Sequence, residues 1–364
     1  MPTLDARARV LLFAPHPDDE SLAAGVFLQH AIAAGADVRI VYGTAGEKNG
    51  WPQRLLERKV RIREADRCRW GARRQAEALA ALRVLDIGPE QVEFLSLPDQ
   101  GVTDLLLGDA RETVRRLADT IITCEPTHLL VPSACDTHPD HSAMAVLLRL
   151  AFDTFLPRNH RIARLEYLVH GTSAAFARRA LGLAQTESES AAKRRAISCH
   201  VTQVALSRRR FLAYAERPER FVFGEETGAD LGDGPIQSVS RDRESVRLQV
   251  VFAIKPLREE TSLYLVGHDN FGGLRRLRAT LPGRTARLEL IDCATGAIAG
   301  VGRYEGDAYR AEISLPASAF VASRAVHVKL DRRVWFFDEA GWLEIGALRP
   351  EPVAVPWRRE LAVA

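Results

Sequence analysis

The chain has no apolar stretch approaching the about 20 residues needed to span a bilayer, so no membrane span is expected. Its opening residues, Met1 to Arg9, lack the apolar core of a secretory signal. Cysteine is sparse: five residues, Cys68, Cys124, Cys135, Cys199 and Cys293, odd in number and without a CxxC pair. That pattern argues against a disulfide framework or a zinc knuckle and leads us to expect reduced thiols in a cytoplasmic protein. Charge is nearly balanced, with 50 Lys and Arg against 47 Asp and Glu and a net +3. Such a balance does not by itself imply a nucleic-acid partner, and no nucleic-acid-binding module is recognisable. Internal repeats and low-complexity segments are also missing.

What is present is a change of pattern along 364 residues, a length that suggests two domains. Short apolar runs at 9–14, 38–42, 92–95, 128–131 and 165–169 read as strands. Between them, helical spacing covers 21–34, a basic stretch from 54 to 85, 111–124 and 141–152. Strands alternating with helices of this length predict an α/β domain over 1–224, a Rossmann-like, doubly wound, mostly parallel sheet. A Gly-, Asp- and Ser-rich segment over 225–245 reads as a linker. From 246 to 364, period-two alternation at 246–252, 262–266, 286–290, 309–313 and 326–330 predicts an antiparallel β-sandwich domain.

Two motifs carry the chemistry. Pro15-His16-Pro17-Asp18-Asp19-Glu20 follows the first strand, and His138-Pro139-Asp140-His141 follows the run Leu129-Leu130-Val131-Pro132. Both fall at the carboxyl ends of strands, where open α/β sheets bind ligands. Together they read as a divided metal site, since two histidines and a carboxylate with an open position form a recurrent catalytic zinc arrangement. Taken singly, Asp18, Asp19 and Glu20 also suit an acidic helix start, and His138 and His141 suit an ordinary loop.

With Gly25, these motifs resemble the LmbE/PIG-L family of zinc-dependent deacetylases, whose members remove acetyl groups from N-acetylglucosaminyl lipids and thiol-sugar precursors. The similarity extends over about residues 8–220. It includes Thr44-Ala45-Gly46-Glu47, Arg74 ahead of Glu77, Leu97-Pro98-Asp99, and Lys193 and Ala196 before His200-Val201-Thr202-Gln203. The resemblance implies that His16, Asp19 and His141 hold one Zn2+ per chain, with Fe2+ able to use the same ligands. It implies that Asp18 is the general base and that His138 stabilises the tetrahedral intermediate and helps protonate the leaving amine. Asp140 is then expected to orient His138 or a metal ligand, or to cap the helix near His141. Arg74 and Asp99 match positions that bind sugar hydroxyls; Asp99 also suits the turn Pro98-Asp99-Gln100-Gly101. His200 and Gln203 either line the site or lie on a helix surface, and the remaining histidines, His170 among them, read as structural.

The chain departs from the family pattern in the insert Lys48-Asn49-Gly50-Trp51-Pro52-Gln53, in the arginine-rich helix after it, and in its β-rich second domain. Between Arg54 and Arg74 stand nine basic residues against three acidic ones. A solvated helix face is the favoured reading, and recognition of an anionic substrate portion the sharper alternative. In the second domain, Trp335-Phe336-Phe337 and Trp342 either stack on sugars or belong to the core. The expected function is hydrolysis of an N-acetyl or other acyl group from an amino sugar or glycoconjugate. Alternatives are another amide hydrolysis or a hydratase reaction at the same site, or an inactive glycan-binding protein. A homo-oligomer is compatible with the sequence.

Overall fold

A computed structural model describes residues 3–155, 162–223, 234–252, 257 and 261–348. The first domain runs β1 (Arg9–Ala14), α1 (Asp19–Ala33), β2 (Asp37–Thr44), α2 (Gly50–Glu57), α3 (Glu64–Val84), β3 (Val92–Leu97), α4 (Val102–Leu107) and α5 (Arg111–Cys124). It continues through β4 (His128–Pro132), α6 (Pro139–Phe155), β5 (Ala163–Tyr167), α7 (Ala174–Arg179), β6 (Leu181–Gly182), α8 (Glu187–Cys199), α9 (Val201–Leu212) and β7 (Arg220–Phe223). These strands form one sheet in the order β3-β2-β1-β4-β5-β7-β6. The first five are parallel, and β7 pairs antiparallel with both β5 and β6.

The central strands read as unbroken apolar runs because both of their faces are covered. Val10, Leu12 and Ala14 of β1 pack with Phe27 of α1, Leu82 of α3 and Ile197 of α8. Leu11 and Phe13 point the other way, toward Leu117 of α5 and Leu147 of α6. The chain leaves β1 toward β2 and β3 and returns to β4 on the opposite side of β1. This reversal opens a crevice at the carboxyl ends of β1 and β4, the place where such sheets take ligands. The basic stretch is two helices rather than one: α2 ends at Arg58, which has φ +51°, and α3 restarts where the Asp66 carboxylate accepts from the Arg63 backbone N–H at 3.0 Å. Four cations at 58–63 with no acid among them would set like charges three and four residues apart on a continuous helix, Arg58 with Arg61 and Lys59 with Arg63.

The second domain contains β8 (Ile236–Arg241), β9 (Ser245–Val251), β10 (Ser262–His268), β11 (Leu274–Thr280), β12 (Ala286–Asp292), β13 (Ile298–Gly306), β14 (Arg310–Pro316), β15 (Val326–Leu330), β16 (Arg333–Val334), β17 (Phe337–Asp338) and β18 (Leu343–Ile345). Instead of a sandwich of two hydrogen-bonded sheets, nine strands join in one antiparallel sheet, β18-β15-β10-β11-β12-β13-β14-β9-β8. It curls until β18 and β8 approach one another, around a core that includes Leu248, Leu265, Leu288, Tyr304 and Ile313. Alternation marks a half-buried strand but does not distinguish a curled sheet from a sandwich. Strand β8 lies inside the segment read as a linker, so the sheet begins before residue 246. The part of that segment over 225–233, and the chain over 349–364, lie outside the described residues.

The two domains share a packed boundary. Val266 and Trp342 join the apolar cluster formed by α5 and α6. The Trp342 N–H donates to the Ala134 carbonyl at 2.7 Å, and the Asp338 N–H to the Thr137 carbonyl at 2.8 Å. A Cβ at Gly341 would lie 2.2 Å from the Ala134 carbonyl oxygen, so this approach needs glycine. Arg149 of α6 reaches Glu344 of β18 at 3.3 Å, and His327 reaches the other oxygen of that carboxylate at 3.4 Å. Among the described residues, no helix is long and apolar enough to cross a membrane.

Burial alone would raise the Glu344 carboxyl, but the His327 hydrogen bond and the nearby positive charges hold it at about 2, below its ordinary 4.5. A depressed acid stabilises the fold above its unfolded value and loses that contribution as pH falls toward the folded one. Melting temperature should therefore fall between about pH 5 and about pH 3, and Glu344→Gln should flatten that fall. An unchanged slope in the variant would show that the boundary does not depend on this charge.

Candidate functional site

The exits of β1 and β4 bring the two motifs face to face. Pro15 and Pro17 restrict the turn after β1, and Asp18 takes φ +134°, a backbone conformation that side chains rarely adopt. The Glu20 carboxylate, wholly buried, accepts from the Asp18 N–H at 3.0 Å and so helps to hold that turn. After β4, the Asp136 carboxylate accepts from the His138 N–H at 2.8 Å and from the Val169 and His170 N–H groups at 3.2 and 3.1 Å. One buried acid thus ties the second motif to the loop after β5.

Three side-chain atoms converge at the floor of the crevice. His16 Nδ1 lies 3.1 Å from His141 Nε2, and Asp19 Oδ2 lies 3.5 Å from the first and 3.2 Å from the second. Tetrahedral zinc with bonds of about 2.0–2.1 Å spaces its ligands by roughly 3.3 Å. The donor set and its spacing therefore fit a divalent ion. Each ring's far nitrogen also faces a carboxylate, the usual support for a metal-binding imidazole. His16 Nε2 is 3.2 Å from Asp140 and 3.3 Å from Asp99, and His141 Nδ1 is 3.1 Å from Asp136. His138 forms a further close group with His16 and His141, and His170 another with Asp19 and His141.

The two adjacent aspartates are driven apart electrostatically. Burial opposes ionisation of Asp19, but His141 and His16 hold its carboxyl well below the ordinary range. Burial also pushes Asp18 up, and Arg74 opposes it only in part, leaving Asp18 at about 6. One carboxylate is kept ionised while its neighbour stands near neutrality, a separation that suits distinct roles. Burial, helped by His16, His141 and His170, keeps His138 well below the ordinary imidazole value and therefore neutral. The Asp140 N–H donates to His138 Nδ1 at 3.2 Å, which leaves the ring proton on Nε2.

The remaining expected residues take definite places. Asp140 turns its carboxylate to His16 rather than His138, and it also accepts from the Gln100 and Val102 N–H groups at 2.7 and 3.1 Å. Asp99 lines the pocket, accepts from the Lys48 N–H at 2.5 Å, and shares His16 with Asp140. Arg74 lines the pocket as well, and donates to the Gly46 and Pro17 carbonyls at 2.8 Å each. Its guanidinium occupies the space beside Gly46, where φ is +63° and a Cβ would lie 1.7 Å from Nη1. His200 is buried against Glu20 at 2.9 Å, whereas Gln203 faces the pocket.

Sequence reasoning missed Asp136 and took His170 for a structural residue. His170 lines the pocket, 4.8 Å from the His141 ring. The signal for Asp136 was a carboxylate at a strand exit two residues ahead of His138; for His170 it was a histidine following the last parallel strand. A ring from the second domain completes the cluster, since Phe337 lies 5.8 Å from His138 and 5.3 Å from His170.

Residues 11–152 match the family model described as PIG-L: GlcNAc-PI de-N-acetylase. The chain is 33% identical over 151 residues to a 1D-myo-inositol 2-acetamido-2-deoxy-alpha-D-glucopyranoside deacetylase of Mycobacterium avium (strain 104), covering 36% of this chain and 47% of that protein. A protein of the same description from Mycolicibacterium vanbaalenii is 30% identical over 154 residues, covering 37% of this chain and 50% of that one. The chain thus spans about half the length of the curated relatives it matches. Among solved structures, N,N'-diacetylchitobiose deacetylase from Pyrococcus horikoshii is 20% identical with a TM-score of 0.47, covering 59% of this chain and 83% of that one.

If Asp136 supports His141 as a ligand, Asp136→Asn should weaken zinc affinity by about 10–100-fold, and His141→Ala should abolish stoichiometric binding. Zinc titration against a competing chelator reads both. Wild-type affinity in Asp136→Asn would remove Asp136 from the metal site.

Proposed function

We propose, from residues 11–152 belonging to the PIG-L/LmbE family of deacetylases, that the chain is a zinc-dependent hydrolase of N-acetylated amino sugars or their glycoconjugates. The observation that carries this reading is the triangle of His16 Nδ1, Asp19 Oδ2 and His141 Nε2, with Asp18 adjoining it at the base of one pocket. His16, Asp19 and His141 would hold the ion, which when bound polarises an amide carbonyl and makes water acidic enough to attack near neutrality.

The chain's own groups supply the rest. Asp18, ionised above about pH 6, takes a proton as water adds to the acetyl carbonyl carbon. The Nε2–H of neutral His138 donates to the oxygen on which negative charge develops. As the carbon–nitrogen bond breaks, the proton held by Asp18 passes to the departing nitrogen, leaving acetate and a primary amine. Asp140 and Asp99 keep His16 oriented, and Asp136 does the same for His141. Arg74 holds the turns bearing Asp18 and Gly46 together and, with Asp99, faces the position of the sugar hydroxyls.

Asp18→Asn should lower acetate release by roughly 10²–10⁴-fold while leaving bound zinc nearly unchanged. Removal of the donor in His138→Ala should cost roughly 10²–10³-fold in kcat. The assay follows acetate and free amine from a panel of N-acetylated amino sugars, beside metal analysis of each variant. Near-wild-type turnover in Asp18→Asn would reject the base assignment. Addition of water to a substrate without acetate release would move the reaction to a hydration.

A further inference from the structure

The second domain reaches the catalytic pocket through one short hairpin, β16 and β17. Its base is held firmly. The Asp338 N–H donates to the Thr137 carbonyl at 2.8 Å, next to His138. The Asp338 carboxylate pairs with Lys329, both side chains being almost completely buried. Phe337 rests on the rings of His138 and His170. From this anchored base the tip projects outward with Trp335 86% and Phe336 61% exposed. Trp335 also takes φ +66°, an uncommon conformation for a large side chain.

These exposed rings are part of the same cavity as His16 and Asp18, a volume of about 410 Å³. Its wall in the first domain includes Trp51, 63% exposed, beside Arg54. Solvent-exposed aromatics on a rigid frame lose little conformational freedom when a flat partner covers them. Their position at the mouth, with the metal ligands at the floor, places that partner beyond the sugar that carries the acetyl group.

We infer that the Arg333–Asp338 hairpin is the aglycone-recognition element of this site. Trp335 and Phe336 receive a second ring, aryl or pyranose, joined by a glycosidic bond to the N-acetylated amino sugar. The inference rests on the deacetylase reading for the identity of that sugar. It assigns the β domain the part of choosing among substrates that share one reacting group.

The test compares N-acetylglucosamine, its p-nitrophenyl glycoside and N,N'-diacetylchitobiose as acetate donors to the full chain, wild type beside Trp335→Ala/Phe336→Ala. In the wild type, at least one ring-bearing substrate should exceed the free sugar in kcat/KM by about tenfold or more. In the double variant that ratio should fall about tenfold, with the loss carried by KM. The substrate that loses its advantage identifies the ring as aryl or pyranose. A ratio that does not change, or a wild type without preference, overturns the assignment. If the wild type releases no acetate from any of the three, the deacetylase reading fails, and calorimetric binding of the two ring-bearing compounds decides the hairpin separately. About tenfold weaker binding of either in the double variant sustains the assignment; equal affinity, or no binding to either protein, overturns it.

Discussion

A concentration of buried acid governs the first domain. Asp19, Asp136 and Asp140 are almost completely inaccessible, and Asp18 and Asp99 are little more exposed. Carboxylates in such surroundings persist only when donors and positive charge meet them. The parallel sheet supplies those partners by placing the exits of β1 and β4 side by side, so that His16 and His141 face the same carboxylate. Backbone N–H groups from three loops serve the other acids. The prolines around His16, the constrained turn at Asp18 and the buried Glu20–His200 pair all serve to hold that arrangement in place.

Much of this was legible in the sequence because the relevant signals are local. Strands buried on both faces announce themselves as apolar runs, and His16, Asp18, Asp19, His138 and His141 stand in two short motifs at strand exits. Asp136 was not legible, because its importance lies in three N–H groups and one imidazole gathered from separate loops. His170 belongs to the pocket only through the register of β5 beside β4. Local pattern also failed where charge decides the backbone. Helical spacing over 54–85 concealed the break at Arg58, and only some of the arginines there, among them Arg54, Arg67 and Arg74, face the pocket.

In the second domain, alternation identified strands but not their closure. Whether inward-facing residues meet across two sheets or within one curled sheet depends on hydrogen-bond partners far apart in the chain. The same limit applies to aromatics. Trp342 is core, packed against α5 and α6, while Trp335, seven residues earlier, lies open at the pocket mouth. Composition alone gives both residues the same reading.

The two hydrogen bonds from Trp342 and Asp338 to the Ala134 and Thr137 carbonyls flank the loop that leads into the second motif. That loop therefore borrows donors from a separate domain, as a binding partner would lend them. Removing the β domain would therefore strip the first domain of more than a neighbour: it would leave the Ala134 and Thr137 carbonyls without these donors and uncover the rings of His138 and His170.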